Sequence, residues 1–134
     1  MKPKILVLES IHQDGIEAMK VFADVDIACG LDRIAQLRTV VGYDAVVVRS
    51  VIQVDQEFLE CGTCLKVVGR AGTGTENIDM ESAGGRGIKV LTVPTGNSQS
   101  AAEFTVALIL ALTRKLPLAL SMVDAADYRR DLLE

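Results

Sequence analysis

Short apolar runs alternate with segments of helical periodicity along most of the chain. The runs are rich in Val, Ile and Leu and lack the polar alternation of a strand with one wet face. They fall at residues 5–8, 25–28, 45–48, 65–68 and 88–93. We therefore predict about five strands, each covered on both faces of one sheet.

Between these runs, apolar residues recur at helical spacing. They predict helices over residues 13–22, 31–41, 55–59 and 77–84, then a long helix over 98–115 and a helical tail after Pro117. Strands that alternate with helices form right-handed βαβ units and a parallel sheet. The pattern predicts a small doubly wound α/β domain.

The helix predicted from Ser98 is apolar on nearly every side. Such a helix must be covered on all sides, and five strands with four short helices can cover one face at most. The other face needs another domain, another chain, or a region that the given sequence does not contain. We therefore expect a boundary that separates residues 1–97 from residues 98–134.

Composition excludes several function classes. The 134 residues are 49% hydrophobic and 24% charged, which suits a folded domain and excludes a disordered one. The net charge of −4 argues against nucleic acid or anionic lipid as a partner of the whole surface. The apolar run at 104–112 is too short to cross about 30 Å of hydrocarbon. With three cysteines and no secretory signal, we expect a cytoplasmic protein without a membrane partner.

Ligands of doubly wound sheets bind beyond the carboxyl ends of the strands. The segments at those ends are Glu9-Ser10, Arg49-Ser50, residues 70–77 and residues 94–100. A guanidinium such as that of Arg49 pairs bidentately with carboxylate or phosphate. The alternative is a surface arginine that is paired with a nearby aspartate.

The segment after the fourth predicted strand is rich in glycine. Gly69, Gly72 and Gly74 would let the backbone approach a ligand and expose N–H groups to an anion. The segment is neither G-x-G-x-x-G nor a P-loop. The alternative is a tight turn between a strand and a helix.

Other candidate residues favour structural roles. Ser98 or Ser100 is a plausible N-cap of the long helix, with Glu103 completing a capping box. The C-x-x-C at 61–64 follows a helix and has no second pair for zinc, so we expect no metal site. The lone His12 is expected in an exposed loop, and no residue is assigned a catalytic role.

Taken together, the motifs resemble the D-2-hydroxyacid dehydrogenases over essentially the whole chain. The matching residues are 48–50, 67–74, 77–79, 86–88, Pro94, 96–98, 101–103 and 111–114 before Pro117. The resemblance implies a flavodoxin-like substrate-binding domain in 1–97, without its C-terminal return segment. It implies that 98–134 begins an NAD-binding domain, and that the helix over 98–116 forms a homodimer interface.

The resemblance also implies roles for individual residues. The acidic substrate would contact Arg49, Ser50, Gly72, Gly74, Asn97 and Arg130, and the nicotinamide end of NAD would contact Thr73. Arg130 and Tyr128 would lie near the partner subunit's active site. Tyr128 stands where the family has Trp, and Thr75-Glu76 where it has a small apolar residue and Asp.

The given sequence reaches Glu134 without a G-x-G-x-x-G and without the Arg, acidic residue and His that the family carries downstream. We therefore expect the substrate-binding part of an NAD-dependent enzyme for a small phosphorylated or 2-hydroxy acid. This chain alone should not catalyse hydride transfer. The alternative is a stand-alone module that binds anions and dimerises without catalysis.

Overall fold

The structure is a computed structural model that describes residues 2–126 and 129–133, with only the backbone of Arg130. Two compact units meet in the sequence between Gly96 and Asn97. The first unit contains β1 (Lys4–Val7), α1 (Gln13–Lys20), β2 (Asp24–Ile27), α2 (Arg33–Thr39), β3 (Ala45–Val48), α3 (Gln56–Cys61), β4 (Val67–Arg70), α4 (Met80–Gly85) and β5 (Lys89–Leu91). The second contains α5 (Ser98–Thr113), α6 (Leu116–Asp124) and a 3₁₀ helix (Arg130–Leu133).

The sheet is parallel throughout, with strand order β2-β1-β3-β4-β5. The order reverses between β1 and β3, because β2 lies on one side of β1 and the later strands on the other. Flavodoxin-like sheets have this order and bind ligands at the carboxyl edge beside the reversal. The predicted doubly wound α/β fold is confirmed.

One face of the sheet carries the core. Leu6, Val46 and Val68 are fully buried there, as are Phe58 and Leu59 of α3. Successive residues of a strand point to opposite faces, so alternate positions of β1, β3 and β4 supply this core. The third helix, α3, therefore packs against this face of the sheet.

The other face is only partly covered, so the prediction of two covered faces is wrong for β3–β5. A groove of about 450 Å³ runs from Met19 and Phe22, at the end of α1, across Val47 and Val67 to Leu91. Leu91 is 58% exposed. The apolar runs lack polar alternation because both faces are apolar, but no described element of the first unit covers this part.

Side-chain caps set where the helices of the first unit begin. His12, Asp32, Asp55 and Asp79 each accept a backbone N–H at the start of α1, α2, α3 and α4. The fourth helix, α4, begins later than predicted, because Asp79 is its cap and the preceding residue, Ile78, pairs with Val54 as an isolated parallel bridge. His12 is exposed at its cap position.

The second unit begins with α5, whose predicted cap is wrong. Asn97 occupies the N-cap without a side-chain cap hydrogen bond, and Glu103 accepts from Gln99 Nε2 at 2.9 Å instead of closing a capping box. The helix begins at Ser98, directly after the N-cap Asn97, so neither Ser98 nor Ser100 lies at the N-cap.

No residue of α5 is buried. Phe104, Ile109 and Leu112 are 66%, 54% and 77% exposed. No single helix among residues 2–126 and 129–133 is long and apolar enough to cross a membrane. Only α5 and α6 taken together meet that length and hydropathy, and they are bent by 64°.

The core position of Leu59 gives a stability prediction. Leu59→Ala should lower the free energy of unfolding by about 2–5 kcal/mol in urea titration, because a fully buried side chain leaves a cavity. Val21→Ala, at a position 78% exposed, should change it by no more than about 0.5 kcal/mol. Equal stability of the two variants would contradict this description of the core.

Candidate functional site

Two loops meet where β3 and β4 end. Val48 and Arg70 are register partners, and the N–H of Ala71 donates to the carbonyl of Val48 at 2.9 Å. The segment that begins with Arg49-Ser50 and the segment over 70–77 therefore leave the sheet side by side. The structure thus brings together the loops that carry Arg49, Ser50 and residues 72–74.

Arg49 keeps its charge available. Its side chain is exposed, its Nη1 lies 3.5 Å from the carbonyl of Ser10, and it forms no ion pair with any residue that the structure describes. The alternative of an arginine paired with an aspartate is therefore not observed. Ser50, the next residue, is also exposed.

Arg70 contrasts with Arg49, although both follow apolar strand residues. The Arg70 side chain is only 10% exposed, and its Nη2 pairs with Glu76 at 3.2 Å. Its Nε donates to the carbonyl of Arg49 and to Asn77 Oδ1, both at 3.0 Å. The charge of Arg70 is thus used to hold the two loops together.

Asn77 is buried and completes this link. Its Nδ2 donates to the carbonyl of Arg49 at 3.1 Å and to that of Ile52 at 2.7 Å. A buried carbonyl without a donor would be costly, so Asn77 stabilises the bend of residues 49–52. The sequence identified Asn77 only within a motif, and no local pattern signals which carbonyls its amide reaches.

Glu9 lies on the opposite side of the same segment. Its carboxylate accepts from the N–H groups of Arg49 at 2.6 Å, Val51 at 3.1 Å and Ile52 at 3.2 Å. Partial burial opposes ionisation of Glu9, but these hydrogen bonds outweigh it, and the pKa of Glu9 lies below the usual glutamate value. Its place after β1, at the carboxyl edge, was the available sequence signal.

The glycine loop offers free donors. The N–H groups of Thr73 and Gly74 donate to no acceptor within the described part of the chain. Neither Gly72 nor Gly74 has a positive φ, so the loop does not require glycine for its backbone conformation. At Gly72 a Cβ would lie 3.2 Å from Nη1 of Arg70, so glycine gives that guanidinium room.

A hollow of about 330 Å³ opens at the ends of β1 and β3. Glu9, Ser10 and Arg49 line it, together with Cys29 and Gln36. Of the described residues that form its wall, none belongs to 72–74. The backbones of the two loops are thus adjacent, while the Arg49 side chain lies toward β1.

The remaining predicted site residues belong to the second unit. Asn97 is exposed at the start of α5. The backbone of Arg130 begins the 3₁₀ helix, but its side chain and all of Tyr128 lie outside the described residues. The three cysteines are free thiols, and no group of metal-ligating side chains occurs in the described ranges.

Curated relatives match nearly the whole chain. D-3-phosphoglycerate dehydrogenases of Synechocystis sp. and Archaeoglobus fulgidus are 39% identical over 127 residues and 41% identical over 128 residues. Each match covers 95% of this chain but only 23% or 24% of the relative. The chain therefore spans about a quarter of the length of these relatives.

Solved structures share the fold. The PH0520 protein of Pyrococcus horikoshii is 32% identical with a TM-score of 0.77, over 96% of this chain and 39% of its own. The NAD⁺-bound 3-phosphoglycerate dehydrogenase of Entamoeba histolytica, at 24% identity, has a TM-score of 0.77 over 86% of this chain and 40% of its own. At that identity the second likeness concerns the fold alone.

A family model agrees with these likenesses. The model of the D-isomer specific 2-hydroxyacid dehydrogenase catalytic domain matches residues 5–126. Those residues include the whole sheet except Lys4, both loops at its carboxyl edge and all of α5. This chain belongs to the D-isomer specific 2-hydroxyacid dehydrogenase family.

Proposed function

We propose that this chain is the substrate-binding part of an NAD-dependent D-3-phosphoglycerate dehydrogenase. The observation that carries the proposal is the guanidinium of Arg49 at the carboxyl end of β3, which forms no ion pair among the described residues. The backbone of Arg49 lies beside a loop with free N–H groups at Thr73 and Gly74. A guanidinium and backbone N–H groups together suit the carboxylate or phosphate of a small acid. The identity to D-3-phosphoglycerate dehydrogenases supports 3-phosphoglycerate as that acid.

The reaction would oxidise the C2 hydroxyl of 3-phosphoglycerate to a ketone, at the first step of serine synthesis. When bound, NAD would accept the hydride, while the hydroxyl proton would leave to a base. Arg49 and Ser50 would hold the anion, Gly72 and Gly74 would contact it, and the N–H of Thr73 would face the nicotinamide end. Asn97 and Arg130 would contribute from the second unit.

Residues for the rest of the cofactor are absent from the given sequence. It holds no G-x-G-x-x-G, so only the loop at Thr73 fits a part of NAD. A hydride-transfer enzyme also needs the cofactor held against the substrate. We therefore propose that this chain alone binds substrate but does not turn it over.

The open sheet face supports the view that residues 1–97 form an incomplete substrate-binding domain. The groove between α1 and Leu91 is almost wholly apolar and has the position of a missing helix on a doubly wound sheet. A return segment from a longer chain would cover it. In the same view, residues 98–134 begin the NAD-binding domain, and the free cysteines suit a reducing cytoplasm.

The exposed surface of α5 supports a homodimer through the helix over 98–116. Apolar side chains such as Phe104, Ile109 and Leu112 would leave water in such an interface. The same surface favours a second candidate function, a stand-alone module that binds anions and dimerises without catalysis. Both candidate functions predict that this chain binds the acid without turning it over, so only a longer chain would distinguish the two.

Binding tests the role of Arg49. Arg49→Ala should weaken 3-phosphoglycerate binding by about 2 kcal/mol or more, roughly 30-fold in Kd, because a charge-assisted pair is lost. Isothermal titration calorimetry of the 134-residue chain measures the change. Arg38→Ala, which removes an exposed arginine in the last turn of α2, should leave Kd unchanged.

The same titrations test the proposed division of function. We expect heat from 3-phosphoglycerate, little or none from NADH, and no turnover. Turnover by the chain alone would contradict the need for further residues. An affinity that Arg49→Ala does not alter would remove Arg49 from the site, and absence of heat from the wild-type chain would refute the binding proposal.

Oligomeric state tests the role of α5. Light scattering after size exclusion should give twice the chain mass for the wild type and a monomer for Ile109→Glu, because a carboxylate would be buried in the interface. Val41→Glu is a matched control, since Val41 is 57% exposed on the first unit and Ile109 is 54% exposed. A monomeric wild type would contradict the dimer.

A further inference from the structure

Residues 49–52 leave the sheet without main-chain partners on the side of β1. The last main-chain bond of the β1–β3 ladder on this side is the N–H of Leu8 donating to the carbonyl of Val47 at 3.0 Å. One residue beyond Leu8 and two residues beyond Val47, the side chain of Glu9 receives the N–H of Arg49. A carboxylate thus continues the ladder where the backbone of β1 turns away.

This carboxylate holds several donors at once. The N–H groups of Arg49, Val51 and Ile52 lie 2.6–3.2 Å from its two oxygens, and the N–H of Ser50 also favours its charged form. Successive N–H groups that converge on one anion form a nest, which binds negative charge strongly. A neutral side chain of the same shape could not accept from all of them.

The carbonyl side of the segment is held independently. Asn77 Nδ2 and Arg70 Nε donate to the carbonyl of Arg49, and Asn77 also reaches that of Ile52. The backbone of Arg49 is therefore fixed from two sides. Glu9 supplies the acceptors and the 70–77 loop supplies the donors.

We propose that Glu9 is a positioning residue for Arg49: it fixes the backbone of residues 49–52 so that the guanidinium faces an acidic ligand. The identity of the ligand that Arg49 binds rests on the proposed function. The way in which Glu9 holds the backbone of Arg49 does not rest on it. The carboxylate of Glu9 bonds the amides and forms no ion pair with the guanidinium among the described residues. It orients Arg49 while leaving a charge to pair with the ligand.

The direction of the pH effect follows from the lowered pKa of Glu9. A carboxylate with a depressed native pKa stabilises the fold above the usual glutamate pKa, and this contribution is lost as pH falls through the native value. The other ionisable residues that line the hollow with Glu9 are Arg49 after β3 and Cys29 after β2. Neither is a carboxylate, so an acidic transition shared by the amides of residues 49–52 would report Glu9.

Glu9→Gln is the test, and Asp44→Asn is its matched control. Asp44 also accepts a backbone N–H from a neighbouring strand, that of Lys4 at 3.0 Å, but it precedes β3 and lies at the opposite edge of the sheet. Amide hydrogen exchange by NMR, compared with the core amide of Val68, measures how firmly residues 49–52 are held. Calorimetry with 3-phosphoglycerate measures the consequence for binding.

Glu9→Gln should accelerate exchange at Arg49, Val51 and Ile52 at least tenfold relative to Val68, and should weaken 3-phosphoglycerate binding at least tenfold. Asp44→Asn should change neither ratio by more than twofold. Exchange at residues 49–52 no faster than in Asp44→Asn, or unchanged affinity in Glu9→Gln, would overturn the proposal. If the wild-type chain binds no 3-phosphoglycerate, the proposed function fails, and the exchange rates alone decide whether Glu9 holds the segment.

Discussion

The site depends on how one short segment is held where β3 ends. N–H groups of residues 49–52 donate to the carboxylate of Glu9. The carbonyls of Arg49 and Ile52 accept from the side-chain amide of Asn77. Hydrogen bonds to a charged group are stronger than neutral ones, and an unmet buried carbonyl is costly. These two side chains, from loops far apart in the sequence, fix the backbone from which Arg49 projects.

This arrangement divides the work between two arginines. Arg70 is largely buried, and its guanidinium is occupied by Glu76, Asn77 and the carbonyl of Arg49. Arg49 is exposed and lacks a carboxylate partner among the described residues. The guanidinium of Arg70 thus supports the backbone of Arg49, whose own charge has no carboxylate partner among the described residues.

The apolar groove on the sheet and the exposed α5 are separate features. Both suit a chain that spans a quarter of the length of its relatives.

The fold class was largely predictable, because apolar runs that alternate with helical segments imply right-handed βαβ units and a parallel sheet, and β3 lies where its Val run predicts. The open face of β3–β5 was not predictable, because an apolar run looks the same whether a helix covers it or not.

The location of Arg49 and the glycine loop at one edge of the sheet followed from the rule that ligands bind beyond the carboxyl ends of the strands. The roles of Glu9 and Asn77 did not, because each depends on contacts with backbone groups 25–43 residues away. The cap of α5 was missed for a local reason, since Asn97, Ser98 and Ser100 compete for one position.

The proposed site would bind a small acid at the carboxyl edge of the sheet, where β3 ends. The most direct measurement is a ¹H–¹⁵N NMR titration of the 134-residue chain with 3-phosphoglycerate. We expect saturable amide shifts concentrated at Arg49, Ser50, Thr73 and Gly74, with little change at the opposite edge near Asp44. Shifts confined to other parts of the chain, or none at millimolar ligand, would contradict it.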